Sequence, residues 1–529
     1  MKPRIKKGIG VLLGVMLAAV TCVGVVPQMT LTAYAAGTRK NLQMVTNATA
    51  ANIEGAQASN VYFGTYKQSS DGNNGYNRDP IKWRVLQNSG SRLFLLADKN
   101  LDCKKYNDSN ISVTWDSCTL HDWLNGGSGG NFYQEAFSGK EKQAIATTSV
   151  MAQANPYYQG TPFGGNTNDK VFLLSIQEVT ETAYGFTDNY SRKAANTTYA
   201  TGQGAYDDNG IGAWWLRSSG SDDSNAATVS DPGYVHMYGH DVDSGVVAVR
   251  PAFNLNLSSV ILISAASGGK SSGTVGAGAL TAVGDYLGND WKVTLLDDGT
   301  FGNNANGHAG FSASRVDSGA VAAGNSITVS YSGANTGSNE YVSAIIVSAS
   351  NENNPLYYGR IANNSASSTG ADITIPSGLA AGDYKIKVFA EQYNGDYMTD
   401  YVSAFSTINV TVEAASSGPT TPPNPAPSTP QGDSVDYFAD LKSAFDYAIA
   451  LGGNRTVTWN RDCVLNYDVM KLLAENPSIT LAFSYTYEDM DYLVTIPGSL
   501  AKPDPTIPIY GPLYLYGMYG GTATPHHEP

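Results

Sequence analysis

Hydrophobic positions along this 529-residue chain recur with periods that change from one stretch to the next. Val61-Tyr62-Phe63-Gly64, Ile81 to Leu86 and Arg92 to Ala97 are short apolar or alternating runs, which predict strands. Thr119 to Leu124 predicts a short helix stopped at Asn125-Gly126-Gly127. Ser138-x-x-Glu141 is a capping box predicting a helix to Ala146. Ser175-x-x-Glu178 is a second, predicting a helix towards Tyr184 directly after a strand over Val171 to Leu174. Strands and helices that do not alternate regularly give an α+β pattern. After residue 280 the period becomes two. Ser326 to Tyr331, Tyr384 to Phe389 and Thr407 to Val412 alternate strictly, beside turn residues such as Gly333, Gly382-Asp383 and Asn394-Gly395-Asp396. Short strands at this spacing predict an all-β sandwich of immunoglobulin-like architecture, without the paired cysteines of antibody domains. Phe438, Leu441, Phe445 and Ile449 then recur at helical spacing. A strand at Thr456 to Trp459, a helix from Tyr467 to Asn476 and a hairpin of Ile479–Tyr487 with Tyr492–Ile496 follow. This is a small α/β two-layer module. Its end, Ile509 to Gly517, reads as a last strand because its apolar residues alternate, with a sticky surface segment as the competing reading.

Composition sets the boundaries between these patterns. Lys2, Arg4, Lys6 and Lys7 precede an apolar run from Ile9 to Val26 and a small-x-small site at Ala33-Tyr34-Ala35. Residues 1–36 therefore read as a secretory signal peptide, with an uncleaved anchor or a lipid on Cys22 as the competing readings. The α+β domain occupies 40–262, a Gly/Ser linker 263–279 and the sandwich 280–413. A Pro/Ser/Thr-rich linker takes 414–434, where no packed core can form. The small module occupies 435–521 and a tail 522–529.

Losing the four signal-peptide cations takes the formal charge from −14 to −18. So acidic a chain repels phosphate backbones, and no basic stripe offsets this, which argues against nucleic-acid binding. Cys103 and Cys118 share a domain, and on an exported protein a disulfide between them is an open alternative to two free thiols. Cys463 reads as a small buried hydrophobe.

Catalytic signatures are sparse. No Gly-x-Ser-x-Gly elbow or His-Glu-x-x-His helix is present. Carboxylates that could serve a glycosidase abound (Asp222, Asp223, Asp231, Asp241, Asp243), but spacing does not pair them. Asp222, Asp223, Asp241 and Asp243 offer hard oxygen ligands for a structural calcium ion, without the spacing of an EF-hand loop; otherwise they are solvated charges. No other cofactor is indicated.

Residues 60–257 resemble a bacterial family known as domain of unknown function 6273. The resemblance rests on ordered elements: Val61 to Tyr66, Pro80 to Leu86, Trp115 to Asn125, Ala136-Phe137-Ser138, Asp169 to Ser175, Trp214-Trp215-Leu216-Arg217-Ser218 and Val249 to Phe253. Cys118 and His121 depart from it, since the family more often has serine and arginine there. The family is similar to the formylglycine-generating-enzyme and C-type-lectin-like folds, which implies a lectin-like α+β domain. The copper-binding thiol pair of such oxidases has no counterpart, because no cysteine lies between Cys118 and Cys463. The later segments resemble modules of secreted proteins of Gram-positive bacteria. In a lectin-like fold, Ser218 to Val247 would supply the variable exposed loops. Tyr234, His236, Tyr238 and His240 would give amphipathic contact area, and Ser221, Asn225 and Ser244 adaptable hydrogen bonding. Trp115, Trp123, Trp214, Trp215, Arg217 and Arg250 read as structural, with Arg217 paired to a buried carboxylate or carbonyls.

The expected protein is therefore multidomain, secreted or at the cell surface, and more a binding protein than an enzyme. Its lectin-like domain would take an extracellular glycan or protein ligand. With no LPxTG-type motif, any cell-wall association would be non-covalent, through the last module. The alternative is an extracellular glycan or peptide hydrolase using the acidic loops.

Overall fold

The computed structural model describes residues 39–45, 53–126, 130–270, 274–297 and 307–413, and in the C-terminal part 434–435, 448–449, 455–459, 465–487, 490–504, 509–510, 512–519 and 522–525. The expected signal peptide, all but the last residue of the expected 414–434 linker, the helix expected from Phe438 and Cys463 lie outside these residues, apart from Ala448-Ile449. The chain forms two compact units, residues 1–416 and 417–529. The described residues are mostly strand, arranged in several sheets.

The predicted strands at the start of the first unit form as long hairpin-connected ribbons, Asn60–Ser70, Tyr76–Asn88 and Arg92–Ala97. Ala252–Asn256 adds to the last of them. Their inner faces bury Phe63, Trp83 and Phe253 against Phe137. Each large side chain removed from water stabilises the fold by about 2 kcal/mol or more. Gly64 has φ +71, and a Cβ there would sit 2.6 Å from the Ala136 carbonyl oxygen, so this close approach needs glycine.

Both expected capping boxes form. Ser138 and Glu141 bond reciprocally at the start of the Gly139–Ala144 helix. Ser175 and Glu178 do the same, but two 3-10 turns follow, Glu178–Thr180 and Thr182–Tyr184, in place of a continuous helix. Thr180 returns its hydroxyl to the Ile176 and Gln177 carbonyls, and Gly185 ends the run at φ +84; threonine back-bonding of this kind competes with regular helix. Val171 to Leu174 is fully buried but is not a ladder strand. It touches Ala252 through a single bridge at Phe172 and gives the Leu174 carbonyl to the Arg217 amide.

A five-stranded sheet carries the Trp214 to Ser218 segment, in the order Val235–Asp241, Asn225–Val229, Trp214–Ser219, Ala248–Val249, Asp102–Cys103. A 14-stranded sheet runs through the rest of the unit. In it the Asp290–Leu296 strand lies parallel to both Asn60–Ser70 and Asp400–Val402. Strands from 40–262 and from 280–413 are thus hydrogen-bonded into one sheet. The described residues 263–270 of the Gly/Ser-rich stretch are correspondingly packed and not a free tether. Ser264 and Ala265 complete the Val260–Ala265 strand, and Lys270 is fully buried. Low side-chain bulk here permits close packing, and composition alone reads it as a linker.

A three-stranded sheet, Ser312–Arg315, Ser326–Ser332 and Ser367–Thr374, faces the strands Glu340–Ser348, Gly382–Gln392 and Ser406–Glu413 across a core of Ile327, Val329, Ile346, Ile386, Val388 and Val410.

In the second unit, Arg455–Trp459 and Ile479–Tyr487 are parallel, and Ile479–Tyr487 pairs antiparallel with Met490–Pro497. The Tyr467–Glu475 helix places Met470 and Leu473 in a core with Val457, Leu481, Val494 and Ile496. The last strand expected over Ile509 to Gly517 is corrected. Only Ile509–Tyr510 is strand, and Pro512–Tyr519 is helix. Pro512 at the first helical position favours that start, and a short apolar run does not distinguish strand from buried helix.

Candidate functional site

Val235–Asp241 is an edge strand, and its outward side chains form a row. Tyr234 is 61% exposed and Tyr238 54%, and His236 and His240 are exposed between and beyond them. The His236 ring stacks 6.1 Å from Tyr238 and lies 5.5 Å from His240, which meets Trp215 edge-on at 6.4 Å. Partial burial, with a smaller effect of His236, holds His240 below the usual imidazole range. Pairing with Asn225–Val229 shifts register between Ala226 and Thr228. Gly239 makes this bulge at φ +88, where a Cβ would lie 2.3 Å from the Ala226 carbonyl oxygen.

A second segment enlarges the row. Asn155, fully buried, donates to the carbonyls of Ser219 (2.9 Å) and Met237 (2.8 Å). Its Oδ1 accepts the amides of Tyr157 and Tyr158. Tyr158 reaches Tyr238 at 6.2 Å, and Tyr157, 75% exposed, packs on Tyr158. Sequence reading missed these three residues. Nothing in the spacing ties Asn155 to a strand eighty residues on.

The polar residues expected beside the row have other duties. Asn225 is buried, and its amide donates to Ser221 Oγ (3.2 Å) and Asp222 Oδ2 (3.3 Å), holding the turn. Ser244 is half-buried, and its backbone closes the turn onto Asp241. The four candidate calcium ligands do not converge. Asp222 Oδ1 accepts the amide and hydroxyl of Ser224. Among the described residues no group of three or more His, Cys, Asp or Glu side chains could hold a metal ion.

The expected structural residues belong to the core, and Trp215 among them touches His240 of the row. Trp214, Trp215 and Arg250 are fully buried, Trp115 nearly so, and Trp123 is partly buried against the core. Arg217 forms a two-pronged pair with Glu178 and also donates to the Leu173 carbonyl (2.8 Å). Arg250 is held by carbonyls of Ala97 (2.8 Å) and Asp98 (3.3 Å), with its guanidinium 4.9 Å over the Trp214 ring. His121 bonds Asp169 (2.8 Å), which also accepts the Trp115 indole N–H.

The two cysteines of this domain are not bonded to each other in the structure. Cys103 and Cys118 are both free and buried. The Cys103 thiol faces the Gly245 and Val247 carbonyls, whereas Cys118 caps the Thr119–Asn125 helix and accepts the His121 amide. Burial pushes the Cys103 thiol up to about 11 and Cys118 up to about 12.

Residues 90–257 match the family model for a domain of unknown function, DUF6273. The match covers the five-stranded sheet and both tyrosine segments. It excludes Val61 to Tyr66 and Pro80 to Leu86. No curated protein and no solved structure matches the chain.

A separate cleft of about 360 Å³ opens beside the Arg217–Glu178 pair, lined also by Phe94, Phe172, Gln177, Glu181 and Asn254. Asp222, Asp223, Asp231, Asp241 and Asp243 do not line it. No helix among the described residues is long and apolar enough to cross a membrane.

Proposed function

We propose that the DUF6273-matching domain is a recognition module of a secreted or cell-surface protein. It would bind an extracellular glycan or protein through the Tyr234–His240 edge and the adjoining Tyr157–Tyr158 segment. The observation that carries this reading is the row of exposed aromatic rings fixed to a rigid sheet. Aromatic rings present apolar faces with polar edges, which suits sugars and protein surfaces alike. Grouped on one surface, rather than scattered singly, such rings mark an interaction site. A C-type-lectin-like fold for 40–262 and an immunoglobulin-like sandwich for 280–413, acting as its support, belong to the same reading. So does non-covalent wall attachment by the C-terminal module. The hydrolase alternative has less behind it, because the acidic loops and the cleft are different places and Glu178 in the cleft is already paired with Arg217.

The test is a glycan and mucin array probed with the full mature chain and with Tyr238→Ala. Saturable binding by the wild type that the variant weakens tenfold or so, about 1.4 kcal/mol, supports the reading. Equal binding by both removes the tyrosine row from the site.

A further inference from the structure

Five charged side chains meet in the interior of the first unit. Lys270 and Glu391 are completely enclosed, as are Asp400 and, within 1%, Lys292; Arg360 packs against the same group. They come from distant elements. Lys270 follows the Val260–Ala265 strand, Lys292 lies in Asp290–Leu296, Glu391 in Gly382–Gln392 and Asp400 in Asp400–Val402. Lys270 Nζ stands 2.5 Å from Glu391 Oε1 and 2.6 Å from Asp400 Oδ2. Ions so enclosed are costly unless they are well paired.

The carboxylates are oriented differently. Glu391 Oε2 is occupied, accepting from Ser343 Oγ (2.5 Å) and Tyr358 Oη (2.6 Å), so Oε1 is left to the amine. Asp400 Oδ1 accepts the Asn394 amide at 2.8 Å, which polarises it as the carbonyl of an acyl group. Asp400 Oδ2 faces Lys270 and, at 2.8 Å, Lys292. An amine and a carboxyl held in contact react with effective molarities of about 10⁵–10⁸ M when well aligned. Exclusion of water also protects the product from hydrolysis.

We propose that Lys270 and Asp400 are joined by an intramolecular isopeptide bond whose formation is assisted by Glu391. Glu391 Oε1 takes a proton from the Lys270 ammonium, and the neutral amine attacks Asp400 Cγ. The Nζ–Cγ bond forms and the Cγ–Oδ2 bond breaks. Of the three ammonium protons, one stays on the amide nitrogen. The other two leave with Oδ2 as water, relayed by Glu391, which ends as it began. No oxidant, metal or co-reactant is consumed. The bond replaces one buried cation and one buried anion by a neutral amide. It also ties the segment after Val260–Ala265 to Asp400–Val402 across the sheet that connects 40–262 to 280–413. Lys292 is not the nucleophile in this scheme. It touches Asp400 but donates to the Gly395 carbonyl (2.6 Å), with no contact to Glu391 that could take its proton.

Tryptic mapping of the full secreted chain by tandem mass spectrometry tests this directly. Trypsin needs a free lysine amine, so the expected digest lacks cleavage after Lys270. It contains the Lys270 peptide joined to the Asp400 peptide, one water lighter than their sum. Glu391→Gln is expected to restore cleavage after Lys270 and both separate peptides. Complete cleavage after Lys270 in the wild type overturns the proposal, as does a link through Lys292. A link that survives Glu391→Gln overturns the role given to Glu391. The wild-type digest stands alone if that variant fails to fold.

Discussion

At the scale of single residues, the aromatic side chains divide into exposed ones, to which the proposal assigns binding, and buried ones that fill the core. Tyr234 and Tyr238 make few core contacts, so replacing either by alanine is expected to change stability by no more than about 0.5 kcal/mol, as at most surface positions, while weakening ligand binding; thermal melting beside binding assays checks both. Arg217 is the opposite case. Arg217→Met removes the cation from the partly exposed Glu178 carboxylate, which keeps the Ser175 amide, and the donor from the Leu173 carbonyl, an expected loss of about 2 kcal/mol in denaturant unfolding. An unchanged midpoint would mean the pair is dispensable. Cys103 and Cys118 should resist iodoacetamide at about pH 8 in the native chain and react after denaturation, because burial raises both thiols well above the ordinary cysteine value. Prompt native labelling would contradict their enclosure. The roles of Trp214, Trp215, Arg217 and Arg250 were legible in the sequence because bulky residues next to strand patterns usually fill cores. The place of Asn225 was not. An asparagine in a polar loop reads as a surface group, and only the fold turns it inward.

At the scale of elements, local signals were read well where the chemistry is local. The capping box at Ser138-x-x-Glu141 and the period-two strands Ser326–Ser332 and Ser406–Glu413 formed as the pattern required. Elements decided by tertiary packing were misread. Val171 to Leu174 has strand-like apolarity but threads between sheets, and the apolar end Pro512–Tyr519 is helix. The Tyr157–Tyr158 segment joins the aromatic row only through Asn155, a long-range contact with no periodic signature. The edge strand itself depends on its bulge. Gly239→Ala should cost about 1–3 kcal/mol, since it forces a side chain into a left-handed conformation against the Ala226 carbonyl. It should also weaken binding by displacing Tyr238 and His240. Retained stability and retained binding together would show that the bulge does not position the row.

At the scale of the whole molecule, the shared sheet makes residues 39–413 depend on one another. Lys140, Asp297, His308 and Glu340 form a chain of contacts that links the Gly139–Ala144 helix to the later strands. Burial alone would lower the His308 pKa, but bonds to Asp297 and Glu340 outweigh it, and the net direction is upward. His308 therefore contributes its full stabilisation below about pH 6.5 and loses it as pH rises through the folded value. Burial raises Asp297 while His308 and Lys140 lower it by more, so its contribution is lost only as pH falls through its depressed value. The melting temperature of the full chain should decline as pH rises from about 6 to about 9, and His308→Gln should flatten that limb. A wild-type melting temperature indifferent to pH over this range would contradict the linkage. The same continuity means that a chain cut near residue 263 would lose the Asp290–Leu296 strand from the middle of its sheet, so the proposed binding is tested on the full chain. The most direct measurement is therefore saturation binding of full-length wild type, Tyr234→Ala and Tyr238→Ala to a glycan and mucin array, with calcium and with chelator. The account predicts wild-type binding that persists in chelator, because Asp222, Asp223, Asp241 and Asp243 do not converge, and that falls roughly tenfold in each variant. No saccharide binding by the wild type, or equal binding by all three chains, would contradict it.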